Sequence, residues 1–314
     1  MSGAASIFLT SSEGMLAVIR QAVNQLEPDI RECLGTFLMR QWTTGGGARN
    51  RAGTADLYYT VFLLECCRGM ELAIPRRQVL DFVNGFGSGQ SLDFVHRACL
   101  ARCRGVLSET HSDLETNAET LNGLEEFRLP DGGYNQNALD PDRCQEGPLS
   151  GALYDGFLAL MAWDALGIAM PRPGEFVQWL KTIKPAGGGY GNDAGFQSPT
   201  TPVSAGAVML MARHGFPIPN TVGDWLLDQH QRQGGFLAAP MSPMPDLLST
   251  ATALHALHVL ERPMGEKAAV CLEFVEALWA AEGGFRGYLE DDQADVEYTY
   301  YGLLALGHLA RESA

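Results

Sequence analysis

A pair of glycines followed by an aromatic residue recurs along the chain at Gly132-Gly133-Tyr134, Gly188-Gly189-Tyr190, Gly234-Gly235-Phe236 and Gly283-Gly284-Phe285. Degenerate copies stand earlier, at Gly45-Gly46-Gly47 and Gly85-Phe86-Gly87, making six units. The aromatic positions are spaced by 56, 46 and 49 residues. Self-similarity at such a period specifies one supersecondary unit stacked many times. It also explains a composition otherwise hard to place in an ordinary domain. The chain holds 36 glycines in 314 residues, well above the usual share of about 7%.

Each unit has the same anatomy. A one-faced amphipathic stretch precedes the glycines, such as Phe176 to Leu180 or Val270 to Val275. A polar loop follows, then a longer run that is apolar nearly all round, such as Asp246 to Leu260 or Asp295 to Leu306. A helix apolar on every side is buried, and a one-faced helix lies outside. Each unit therefore reads as outer helix, glycine turn, inner helix, the glycines allowing positive φ and close backbone approach. An open solenoid needs polar terminal caps, yet the final inner helix is among the most apolar. The expectation is a closed all-α ring: an α/α toroid of six helix pairs, one domain over residues 1–314, with repeats from about 41 to 309 and no strands.

The charge balance sets the outer limits. With 37 acidic and 22 basic side chains, the net charge is −15, which argues against nucleic acid or anionic membrane as broad-surface partners. The N-terminal stretch lacks the basic region and apolar core of a secretory signal, and no apolar run reaches the roughly 18 residues of a membrane span. Seven cysteines, none in a Cys-x-x-Cys pair, fit reduced, buried thiols in the cytoplasm.

At the glycine turns and the Asp and Ser/Thr residues that open the inner helices, the sequence resembles the terpenoid cyclase and protein prenyltransferase superfamily, from about Gln41 to Leu309. The resemblance implies an α/α barrel around an apolar cavity that accepts an isoprenoid. It also separates two chemistries. The prenyltransferase β-subunits hold zinc through an Asp and a Cys two residues apart and a His in the last repeat. Here Asp246 is followed by Leu248, and Tyr298 stands at the His position. The class II cyclases protonate an alkene or epoxide from an Asp-x-Asp-Asp-Thr motif, to which Asp295-Val296-Glu297-Tyr298-Thr299 is similar, with Glu297 at the acid position.

Candidate site residues follow. Glu297, assisted by Asp295, is the candidate proton donor, because a carboxyl desolvated in an apolar first turn has a raised pKa. Arg49 and Arg51 precede the first inner helix, where helix N–H groups also favour an anion. They suit the forked recognition of a polar head, or equally neutralise the acidic loop Glu290-Asp291-Asp292. Tyr58, Tyr59, Tyr298 and Tyr301, with His96, line the expected path, where aromatic faces shield cations. The Asp residues at 56, 93, 246 and 295 have the positions of helix N-caps. No metal or cofactor is expected. The first reading is a single-domain class II-type cyclase. The alternatives are a prenyltransferase-like enzyme without zinc and a non-catalytic isoprenoid- or peptide-binding toroid. An α-subunit-like partner and a homodimer both stay open.

Overall fold

The computed structural model describes residues 7–107, 114–140, 142, 149–195 and 198–312. Helix α1 (Ser12–Gln25) precedes the repeats, its first turn closed by Ser11 Oγ accepting from the Gly14 amide at 3.1 Å. Among the described residues six outer helices then alternate with six inner ones: α2 (Pro28–Arg40) with α3 (Leu57–Met70), α4 (Arg76–Asn84) with α5 (Phe94–Leu107), and α6 (Leu114–Glu125) with α7 (Leu153–Ala165). The series continues with α8 (Pro173–Thr182) and α9 (Thr201–Arg213), α10 (Asn220–Asp228) and α11 (Leu247–Val259), and α12 (Lys267–Ala277) and α13 (Val296–Glu312).

The ring closes. Every inner helix packs on the next, from α3 through α5, α7, α9 and α11 to α13, and α13 returns to α3. The glycine turns close the outer layer by the same rule. At Gly283 the backbone has φ +102°, a conformation open to glycine, and an added Cβ would lie 2.6 Å from the Cys33 carbonyl oxygen. The turn of the sixth repeat thus lies directly against the outer helix of the first.

One hydrogen bond recurs between turn and inner helix. A Ser or Thr hydroxyl in the first turns of the inner helix accepts the amide N–H at the turn: Ala48 to Thr60 (2.9 Å), Tyr190 to Ser204 (2.8 Å), Phe236 to Thr250 (3.0 Å) and Phe285 to Thr299 (3.1 Å). These amides are buried, so an unmade bond would cost about 1–3 kcal/mol each. This is the physical role of the hydroxyl residue in the four inner helices that carry it.

Two features were not expected from the sequence. Two short antiparallel ribbons cross the loops, β1 (Ala48–Arg49) with β2 (Ala55–Asp56) and β3 (Phe236–Leu237) with β4 (Pro245–Asp246). Each pairs the turn with the residues just before the inner helix, a two-residue register too short to give a period-2 pattern. The second is the placement of α1. It packs against α13, α3 and α7 over the C-terminal halves of the inner helices. An added Cβ on Gly307 would lie 2.2 Å from the Val18 carbonyl oxygen. Glu13 pairs with Arg68 at the end of α3, and Gln21 accepts from Arg311 at the end of α13. Helix α1 is therefore the floor of the barrel, and the ring of inner-helix N-termini is its mouth.

Candidate active site

At the mouth, all four expected aspartates cap inner helices. Asp56 accepts from the amides of Tyr58 (2.7 Å) and Tyr59 (3.2 Å), Asp93 from His96 (2.8 Å), Asp246 from Ser249 (2.7 Å) and Asp295 from Tyr298 (2.9 Å). Asp295 has a second task. Arg51 Nε donates to its Oδ2 at 2.7 Å, while the same guanidinium forks onto both oxygens of Asp291 at 2.7 and 3.1 Å. Both carboxylates are buried, with side chains 5% and 3% exposed. This bidentate, charge-assisted cluster ties the loop of the first repeat to the last and stitches the seam of the ring. The Arg51 guanidinium holds Asp291 below the usual carboxylate range. Burial outweighs the same partner at Asp295 and pushes that carboxyl up.

Glu297 stands one residue past the start of α13, beside this cluster. Tyr58 Oη donates to its Oε1 at 2.6 Å. Burial pushes the Glu297 carboxyl up to about 7, against the lowering effect of the Tyr58 hydrogen bond. The nearby Asp295 charge acts in the same direction as burial. Tyr58 itself is raised by burial, so at neutral pH it is a donor and not a competing base.

Tyr58 connects Glu297 to a cavity of about 220 Å³, lined by Tyr58, Phe62, Phe157, Tyr300 and Tyr301 among other mostly apolar residues but not by Glu297 itself. The rings pack edge-on or tilted rather than face to face: Tyr58 on Phe62 at 5.0 Å, Phe62 on Tyr300 at 5.3 Å and on Tyr301 at 5.7 Å between centroids. A concave, mostly apolar space with a few converging polar groups is the usual form of a small-molecule site. The tyrosines do not fill the barrel to a solid core.

The other candidates are placed around this centre. Tyr301 lines the cavity one turn below Glu297. Tyr298 lies under the Arg51 guanidinium, 5.3 Å from its ring centroid. Tyr59 is half-buried at the mouth, where burial and the charges of Asp295 and Glu297 push it up to about 12. His96 is held on Asp93 at 2.9 Å and stands 3.9 Å from Asp56, at the rim. Arg51 is engaged by Asp291 and Asp295, the second of the two roles read for it. Arg49 is exposed, beside Phe37, Arg40 and Gln41 on the outer side of the ring. The segment that follows the Gly132-Gly133-Tyr134 turn, residues 135–148, lies partly outside the described residues.

Zinc does not fit the position the prenyltransferase resemblance would give it. Asp246 is spent on the Ser249 amide and hydroxyl, Leu248 lines the cavity, and Tyr298 is under Arg51. Among the described residues no group of three or more His, Cys, Asp or Glu side chains is arranged to hold a metal ion.

Among the lining residues that the sequence reading did not single out are Met15, which comes from the floor helix, His255 and Arg102. Arg102 carried a signal, since it interrupts an inner helix whose neighbours Cys99, Leu100, Ala101 and Cys103 are all buried.

Comparisons with known proteins agree with this architecture. Residues 203–313 match the family model of the prenyltransferase alpha-alpha toroid domain. No match is found among curated proteins. The solved type II terpene cyclase MstE from Scytonema superposes with a TM-score of 0.61 at 13% identity, over 93% of this chain and 98% of that one. A variant of that cyclase in complex with geranylgeranyl dihydroxybenzoate gives 0.57 at 11% identity, over 96% and 99%. A protein from Actinoplanes gives 0.55 at 14% identity, over 96% and 100%. The chain thus has the α/α-toroid fold of these structures, and residues 203–313 match the prenyltransferase alpha-alpha toroid domain.

Proposed function

We propose that the chain is an isoprenoid-handling enzyme, a single-domain class II-type cyclase that starts reaction by protonating its substrate from Glu297. The observation that carries the reading is the setting of that carboxyl. It is desolvated, poised near neutrality and hydrogen-bonded to Tyr58, which lines an apolar, tyrosine-rich cavity. A general acid is most effective when its pKa lies near the working pH.

In the proposed step the Glu297 proton passes to one carbon of an alkene. A new C–H bond forms from the π pair, and the other carbon becomes cationic. A second alkene of the same chain attacks that cation, closing a ring, and the last cation returns a proton to a base or to water. Tyr58 holds the carboxylate left behind. The faces of Phe62, Tyr300 and Tyr301 are suited to stabilise positive charge in a space that excludes water. Arg51 acts as a positioning residue, holding Asp295 fixed at the helix start. The likeness to a cyclase whose variant is solved with geranylgeranyl dihydroxybenzoate supports a prenyl chain as the apolar part of the substrate.

The test is turnover of linear prenyl substrates of ten to twenty carbons, read as cyclic products of unchanged mass by gas chromatography and mass spectrometry. Wild-type protein is expected to form them, and Glu297→Gln to lose at least 100-fold in rate. Unchanged turnover by the Gln variant overturns the mechanism. Binding without any cyclic product would instead support the non-catalytic toroid.

A further inference from the structure

The cavity has a cation that the proposed chemistry does not use. Arg102, on inner helix α5, lines the same space as Tyr58, Tyr300 and Tyr301, and among the described residues its guanidinium makes no hydrogen bond or ion pair. The charged groups around it are otherwise committed. Glu65, the acidic side chain whose field reaches it, is buried and paired with Arg68 at 3.2 Å. Cys99 and Cys103 flank it as buried thiols raised by burial, hence neutral. Neither Arg49 nor Arg51 lines the cavity.

Arg102 is partly buried, and a guanidinium that faces a mostly apolar cavity with no protein acceptor leaves its donors open to a ligand. Such a group is retained where a ligand completes it, and a planar fork with five donors is matched by a carboxylate. Its depth matters too. Arg102 lies eight residues past the start of its helix and Glu297 one past the start of its own. At 1.5 Å per residue this separates them by about 10 Å along the barrel, with Tyr301 between them in range of both. The floor side of the cavity adds only neutral groups, the Tyr300 hydroxyl, Met15 sulfur and His255, the last held neutral by burial at about 4. One positive charge in an otherwise neutral chamber suits one negative charge, not the several of a diphosphate.

We infer that Arg102 is the anchor for a substrate carrying a single carboxylate, a prenyl acid or prenylated aromatic acid. The substrate enters acid-first, so that its anion meets Arg102 near the floor and the far alkene lies under Glu297. This deepens the reading of the cavity as an isoprenoid site and rests on it. The occupant would form a one-cation, one-anion pair in a low-dielectric space, where such a pair is strong and its absence is felt.

Equilibrium binding separates this from the cyclisation mechanism, because it needs no turnover. Farnesoic acid, farnesol and farnesyl diphosphate are titrated at pH 7.5 into wild-type protein, Arg102→Met, Arg102→Lys and Glu297→Gln by calorimetry or by quenching of tryptophan fluorescence. Wild-type protein is expected to bind the acid at least 10-fold more tightly than the alcohol, and more tightly than the diphosphate. Arg102→Met should abolish that preference while leaving farnesol affinity within about 2-fold. Arg102→Lys should keep part of it, and Glu297→Gln all of it. Equal binding of acid and alcohol by wild-type protein overturns the inference. So does an acid preference that survives in Arg102→Met, an equal loss of both ligands in that variant, or a failure of all three to bind. Loss of cyclisation in Glu297→Gln speaks only to the mechanism above.

Discussion

Replacing Glu297 by Gln should make the protein more stable, and by an amount that depends on pH. Raising this carboxyl from its ordinary 4.5 to about 7 costs the ionised form about 3 kcal/mol, at about 1.36 kcal/mol per pH unit. Between those two values the folded protein keeps a proton that the unfolded chain has released. Stability therefore falls as pH rises through the window, and the full penalty is present above 7. Glutamine keeps an oxygen to accept from Tyr58 but has no charge to bury. The stability gained by the variant should rise from under about 1 kcal/mol at pH 5 to about 3 kcal/mol at pH 8. For a chain of this length that corresponds to about 5 °C in Tm at the higher pH. The assay is urea and thermal unfolding of ligand-free wild-type and variant protein at both pH values in one buffer series. Equal differences at pH 5 and pH 8, or a variant less stable at pH 8, would refute the claim that Glu297 is a desolvated carboxyl poised near neutrality.

Four further outcomes follow from the same geometry. Turnover should be full below about pH 7 and fall above it as Glu297 loses its proton, and Tyr58→Phe, which removes a hydrogen bond to the ionised form, should move that midpoint upward; a pH–rate profile reads both. Arg51→Met leaves two buried carboxylates without their cation and should cost about 2–4 kcal/mol in chemical denaturation. Thr299→Val strands the buried Phe285 amide and should cost about 1–2 kcal/mol, measurable as a lower Tm with the fold intact by circular dichroism. Gly283→Ala must meet both φ +102° and the Cys33 carbonyl at 2.6 Å; an expected loss of about 2 kcal/mol or more would be contradicted by a neutral change in unfolding midpoint.

The repeat was legible because its signals are local. Two adjacent glycines and an aromatic mark a turn wherever they fall, and helices apolar all round announce a buried ring. The caps at Asp56, Asp93, Asp246 and Asp295 were legible for the same reason, since an N-cap and its amide lie within three residues. Glu297 could be singled out because a lone carboxyl among Val296, Tyr300 and Tyr301 has few ways to be solvated. The ribbons at Ala48–Asp56 and Phe236–Asp246 were not legible, being two residues long on each side.

What the chain alone decided was therefore architecture: six helix pairs, the order of outer and inner, and a mouth ringed by capping carboxylates. What tertiary structure decided was partnership across long separations. Arg51 stands 240 and 244 residues from Asp291 and Asp295, and either solvent or substrate would have suited it as well by sequence. Helix α1 has an ordinary amphipathic pattern, yet its apolar face seals the barrel floor and puts Met15 into the cavity. Arg102 reads as one more cation until the ring closes around it and leaves it facing an apolar chamber. The reason is common to all three. Helix and turn signals act over a few residues, whereas desolvation and charge pairing depend on which surfaces the closed ring brings together.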